Sequence, residues 1–514
     1  PHYSMTATNQ TSDHRNSATP VIADLRYYYA QAKSGIKTEL CDLCIYGGTS
    51  GGVAAAIQAA RMGKSVILLE FGNHIGGLTS GGLCDTDGGD PDVCGGIARE
   101  FYNQVGQRFF EPSRAEETLL SMLNIPGIRY HFFCQLESVQ KAGTKIQSIT
   151  MENGLTVQAK QFIDCSYEGD LMAMAGVSFT VGRESNAQYG ETYNGVLEPG
   201  KGGHDYTTAI DPYLIPGNPD SGLLPRIHDQ KVIPGIADKR IQAFCFRMWL
   251  TDKDPQPFPL PEGYDPLEYE VIARMFESGA DPKIMFSNDT NNHHLFDGAY
   301  FIDLVSGADQ WPEGDHKTRE HIFQNHVRYQ IGVMWFLQND PRIPSQYQSI
   351  FKKWGLPKDI YTTSGGWPHQ LYIREGRRMV SDYVVTEHHC FHREIAEDSI
   401  GLATYKMDSH HCQMVAIDGL LYNEGNIEVS PRGPYPIAYR AITPKQSECT
   451  NLLVPWALSA SHITFGSIRM EPVFMVLGQS AATAACFAID DNIDVQSINY
   501  GKLRAQLIKD QQKL

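Results

Sequence analysis

Positive charge is scarce in this sequence and nowhere clustered. Lys and Arg total 43 against 59 Asp and Glu, a formal net charge of -16 over 514 residues. Nucleic acid and anionic membrane surfaces are held by clustered Lys and Arg. Neither is expected as a partner. No apolar run reads as long enough to span a bilayer. Internal repeats and low-complexity tracts are missing too, which removes solenoids and linker-dominated chains. A second CxxC is absent. Cys41 and Cys44 have half the spacing of a zinc site, and nothing completes it. The 11 cysteines, such as Cys165 in "FIDCS" and Cys486 in "AACFAI", read as buried thiols inside apolar runs.

What is present is a core-forming composition. Hydrophobic residues make up 42% of the chain, enough for two or three domains around a large core. The opening "PHYSM" reads as a tag or cleavage remnant before Met5. The polar "TATNQTSDHRNSATP" after it has no apolar signal core, so a cytoplasmic location is expected. Residues 1–38 are expected to be a loose leader ending in a short helix. Residues 39–235 carry a strand–turn–helix–strand unit and a meander with hairpin turns at "KAGTK" and "ENG". Residues 236–440 are richer in aromatics, His and Arg and read as an inserted α+β substrate or cap domain. Residues 441–514 return to the first domain. The fold class is α/β, Rossmann-like, with a ligand at the seam of the two parts.

"CIYGGTSGGVAAAIQAARMGKSVILLEFG" carries the chemistry of dinucleotide binding. Gly47 supplies the tight turn after a strand, and Gly52 lets the helix pack close to the sheet. Thr49 stands where a second glycine is usual, which loosens the fit there. Gly48, Ser50 and Gly51 complete the turn into the helix, whose free N–H groups and positive dipole end suit a pyrophosphate. Glu70, about 20 residues on, ends the next strand where an acid accepts bonds from ribose hydroxyls. Phe71 follows it. A second cluster, "HIGGLTSGGL", offers Gly76, Gly77, Leu78, Thr79 and Ser80. A flavin needs such backbone along its ribityl chain, whereas NAD alone does not. In "SIRMEPVFMVLGQSAATAA", Pro472 suits a helix start. Gly478 and its small neighbours allow close packing. The start of that helix is placed to face the flavin pyrimidine.

These stretches, with "GGIAREFY", "FIDCSYEGDLMAMAGVSFTVGRES", "GGWPHQLYIREGRRMVSDYV" and "EDSIGLATYKMDSH", resemble the FAD-dependent oxidoreductases of the glutathione-reductase-like superfamily. The likeness is strongest to an uncharacterised bacterial group found beside carbohydrate-use genes. It spans about residues 40 to 490. It implies FAD as cofactor, bound by residues 44–72, the 76–82 loop and the terminal helix. It also implies that Asp164 lies near the flavin, ending a strand before a helix begun by Asp170. Thr49 is compatible with that family. The resemblance is silent on substrate.

Candidates for the base that takes the substrate proton are His369 and His462. His369 follows a rigid Trp-Pro, with Arg374, Arg377 and Arg378 expected one to two helical turns downstream to hold an anionic or hydroxyl-rich substrate. His462 precedes the flavin-facing helix, with Arg469 in the same loop. The plainer alternatives, a helix cap with structural ion pairs and a buried histidine on backbone, weigh about equally. The echo "TEHHC" and "DSHHC" is a weak metal motif, because neighbours on a strand point to opposite faces; no metal is expected. Tyr435, Tyr439 and Arg440 suit a sugar or carboxylate pocket, or interdomain packing. The expected activity is transfer of a hydride from a polar small molecule, such as a sugar-like alcohol, to flavin N5. The electron acceptor, the flavin linkage and any homo-oligomer stay open. A flavin monooxygenase using NAD(P)H and a non-catalytic FAD-binding protein are the alternatives.

Overall fold

The computed structural model describes residues 21–514 except 23, 34, 36, 84–85, 107–108, 281–284, 287–292 and 298. The expected tag remnant and the polar stretch up to residue 20 lie outside the described residues. Strand β1 (Lys37–Tyr46) forms the centre because its second half, Leu43–Tyr46, is buried. Parallel strands covered on both faces read as unbroken apolar runs. The sheet order is β3 (Ile128–His131), β2 (Val66–Leu69), β1, β6 (Leu155–Asp164), β5 (Lys145–Met151), β4 (Leu136–Ala142). Strands β1, β2, β3 and β6 are parallel, and β4 and β5 join as antiparallel hairpins turning at 143–144 and 152–154. Cys44 pairs in register with Ile67 and Phe162 in the middle of this sheet.

The seventh strand comes from far down the chain. Leu452–Leu453 lies parallel to the end of β6, with Leu452 opposite Phe162. Helix α1 (Ser50–Arg61) packs on the long C-terminal helix Glu471–Asp491. They approach so closely that a Cβ at Gly478 would lie 2.1 Å from the Gly51 carbonyl oxygen. The long helix is apolar and long enough to cross a membrane, contrary to the sequence expectation that no run is. Its small-residue faces are instead covered by α1 and the sheet, and 89% of its apolar window is buried.

Two further expectations fail. The described part of the leader, 24–33, is not helical. Two of its backbone donors are satisfied from outside: the Tyr27 and Tyr28 N–H groups both donate to Glu320 on the cap helix His316–Asn339. Residues 371–377 are not helical either. Tyr372 pairs with Cys245 through its backbone, and Arg378–Met379 pairs with Phe179–Thr180. The arginines there are drawn to separate buried partners rather than along one helix face. Ile227–His228 pairs with Gln413–Ile417, so pairing within the inserted region reaches back across residue 235.

Candidate functional site

The turn between β1 and α1 explains the odd threonine. Thr49 is the helix N-cap, its hydroxyl accepting the Gly52 N–H at 3.2 Å and donating to the Cys165 carbonyl at 2.8 Å. An N-cap side chain of this kind fixes a helix start. Here it also ties that start to the residue after β6. Gly47 has φ +106°, and a Cβ on Gly52 would sit 1.9 Å from the Gly47 carbonyl oxygen. Neither position admits a side chain without moving the turn.

Glu70, directly after β2, folds back onto the turn. Its carboxylate accepts the Gly48 N–H at 2.7 Å and the Gly72 N–H at 2.8 Å. Burial outweighs these bonds and pushes its pKa up to about 7. The second glycine segment is fastened to the first, because the Gly76 N–H donates to the Gly48 carbonyl at 2.7 Å. It then enters a single helical turn, α2 (Leu78–Gly81). The Leu78 N–H donates to the Tyr167 hydroxyl at 2.7 Å, and the Ser80 hydroxyl donates to the Ile75 carbonyl.

Glu471, the first residue of the long helix, joins all three segments. Its buried carboxyl accepts the hydroxyls of Ser50 (2.5 Å), Thr79 (2.7 Å) and Tyr167 (2.9 Å). Burial raises its pKa. Sequence reasoning missed it, although an acid in the otherwise apolar "RMEPVFMVLG" was a visible signal. Tyr167, within "FIDCSYEGD", was missed for want of any pattern.

One cleft gathers these parts. Gly47, Thr49, Glu70, Phe71, Gly77, Tyr167, His369 and Gln370 line it. His369 stacks on His74, ring centroids 3.7 Å apart and planes 9° from parallel. The Nδ1 of His74 is 3.1 Å from both carboxylate oxygens of Glu116. Nε2 of His369 is buried with no hydrogen-bond partner. Burial, and next the neighbouring His74, holds its pKa well below the usual imidazole value. His74 was also missed, its partner ring lying far along the sequence.

Gly48, Ser50, Gly51, Gly52, Gly76, Leu78, Thr79 and Ser80 shape the cleft without lining it. Asp164 is buried behind the turn, where its carboxylate accepts the Ser166 hydroxyl at 2.6 Å and the Met172 N–H at 2.8 Å. Burial pushes its pKa up to about 6. Gly478 lies at the helix crossing.

Arg374 and His462 belong to a separate buried network. Arg374 lies 3.1 Å from Asp303 and donates to the Ala243 carbonyl. His462 Nδ1 is 2.8 Å from Glu375, and its N–H donates to Glu184 at 2.9 Å. Burial works against ionisation of Glu375, but the adjacent His462 keeps its pKa below the usual value. Arg469 donates to Asp408 at 2.8 Å and to the Tyr372 hydroxyl at 3.1 Å. The two His-His-Cys triplets fall on different elements. His389 meets Tyr383, His410 meets Asp303 and His411 meets Asp205. Tyr435 donates to Ser467 and Tyr439 to the Val495 carbonyl, both buried.

The donor set fits FAD. A helix start capped by Thr49, an acid beside it, the glycines Gly47 and Gly77 and an unpartnered buried imidazole nitrogen all border one cleft. The chain matches the sequence family described as "FAD dependent oxidoreductase" over residues 42–507. Solved structures with local likeness include thioredoxin reductase of T. acidophilum, with 24% identity, 24% of this chain and 34% of that one, and TM-score 0.19. L-proline dehydrogenase of P. horikoshii shows 16% identity over 31% of this chain and 27% of its own, TM-score 0.20. The 3-ketosteroid-delta4-(5alpha)-dehydrogenase of Rhodococcus jostii RHA1 shows 14%, 29% and 50%, TM-score 0.20. The matched stretch is thus 34% of the length of the first of these and 27% of the second. Curated proteins give no significant match.

Proposed function

The chain belongs to the FAD dependent oxidoreductase family, and from that premise we propose that it oxidises a polar small molecule, such as a sugar-like alcohol. The observation that carries the proposal is the continuity of one cleft from Gly47 and Thr49 through Glu70 and Gly77 to His369. Bound FAD supplies the hydride-accepting centre. The chain's own residues do the rest. Glu70 would accept from the ribose hydroxyls, and the N–H groups at the start of α1 would face the phosphates. The segment Gly76–Ser80 would shape the wall beside the remainder of the cofactor, and Glu471 fixes it against α1. The start of the 471–491 helix brings its positive dipole end to the same place.

His369 is the base of this reading. It stays neutral near physiological pH, and its bare Nε2 is ready to accept a proton from a substrate hydroxyl. The stacked His74, tied to Glu116, limits its rotation. Arg374, expected to hold substrate, and His462, expected as an alternative base, act in this reading as positioning residues that hold the 371–378 segment and the approach to the long helix.

The test starts from the visible spectrum of purified protein, repeated on supernatant and pellet after acid precipitation. Flavin bands are expected, followed by anaerobic bleaching with one of a panel of sugars and polyols. His369→Ala should slow that bleaching by about 10²–10⁴-fold with flavin content unchanged. Bleaching at the wild-type rate would remove His369 from the role. NAD(P)H bleaching the flavin in place of any alcohol would turn the assignment to monooxygenation. No flavin, even after adding FAD, would reject the reading.

A further inference from the structure

Residues 24–33 form neither helix nor strand, and Arg26, Tyr27 and Tyr29 supply part of the cleft wall. Tyr27 stacks on Phe71 with ring centroids 4.6 Å apart and planes at 27°, and meets Trp311 edge-on at 4.8 Å. Its hydroxyl donates to Glu168 at 3.2 Å. The Tyr27 and Tyr28 N–H groups converge on one oxygen of Glu320, 2.8 Å each. Gln324, one turn further along the cap helix, donates to the Leu25 carbonyl at 2.8 Å. The Tyr28 hydroxyl donates to Glu152 in the β5–β6 turn at 2.7 Å.

Two things separate this arrangement from ordinary packing. Tyr27 and Phe71 are only half-buried and border a cleft, whereas a core stack is closed on all sides. Phe71 also follows Glu70, so the stack stands beside the acid assigned to the ribose. A nucleoside needs both an acceptor for its ribose and an apolar, polarisable face for its base.

We infer that Tyr27, with Phe71, forms the wall on which the adenine of FAD seats, and that residues 24–33 are a strap retaining the cofactor through its hold on the cap helix. The inference rests on the FAD reading and extends it to a segment outside the glycine turns. Release of FAD then requires the strap to lift from Glu320 and Gln324.

The test uses the FAD-loaded full chain. FAD loss after dilution is followed by the rise of flavin fluorescence in wild type, Tyr27→Ala and Tyr27→Phe. The expected result is loss about five- to tenfold faster in Tyr27→Ala, with Tyr27→Phe close to wild type because the ring is kept. Equal rates in all three would overturn the strap while leaving FAD binding intact. Wild type that takes up no FAD would overturn both readings. Hydrogen exchange of wild type covers the case in which Tyr27→Ala does not fold. Added FAD should slow exchange of the Tyr27 and Tyr28 amides, and unchanged exchange there would overturn the inference without any variant. A merely structural Tyr27 would lower the unfolding temperature of the protein equally with and without FAD; a cofactor wall shrinks the FAD-dependent rise.

Discussion

Glu70 is held in place by two backbone donors yet buried enough that its proton is retained to about pH 7. Its folded pKa is raised above the ordinary 4.5. The stability linked to it is therefore full below pH 4.5 and lost as pH rises through 7. Without cofactor, Glu70→Gln should gain on wild type by about 1–3 kcal/mol between pH 5 and 7.5. Chemical unfolding of both at the two pH values measures this, and a difference that does not change with pH would refute it. With FAD the order reverses, since Gln is the poorer acceptor for ribose hydroxyls. Much at this scale was legible. The glycines and Glu70 were named from spacing and residue type, because turns and acids at strand ends leave local signatures, whereas His369 was named with arginines expected on a helix that residues 371–377 do not form. The capping bond of Thr49 and its bond to Cys165 left no local signature, because they depend on the end of a strand 116 residues away. Tyr27 and His74 had no readable signal, as each acts through a ring elsewhere in the chain.

Helix α1 and the 471–491 helix are the pair of elements on which the cleft depends. Their crossing is set by Gly51 and Gly478, whose closeness leaves no room for a Cβ. Gly478→Val should push α1 outward, cost about 2–4 kcal/mol and strip FAD from the purified protein. Unfolding midpoints and flavin content check this together; a stable variant with full flavin would mean the helices can separate without harm. Small residues at helical spacing made this contact foreseeable. The 371–377 segment was not foreseeable. Its polar, arginine-rich pattern fits a helix face, but tertiary partners on Cys245, Asp303 and Glu184 override that preference.

The whole molecule is held together by buried charge as well as by the sheet. Arg319 on the cap helix donates to both oxygens of Asp170, at 2.6 and 2.9 Å, and Arg377 adds a third bond at 2.6 Å. Arg319 is 1% exposed. Removing one partner of a buried pair leaves the other charge poorly compensated, so Arg319→Met should cost about 3–5 kcal/mol. Faster cutting of the 24–33 strap and the cap helix by a protease is the expected readout. Unchanged digestion would mean that Arg377 alone satisfies Asp170. The α/β class and the return of the chain to its first sheet could be read from sequence. The way the inserted region is laced back through residues 24–33 and 227–228 could not, since single bonds between distant segments leave no periodic trace. The same wiring imposes a timetable. The hydroxyl of Ser50 waits for Glu471, which is 421 residues further along. At synthesis rates of about 5–20 residues per second, that wait lasts roughly 20–80 seconds. Through it, the small-residue face of α1 stands uncovered on the ribosome, the interval in which a newborn chain most needs shelter from its neighbours.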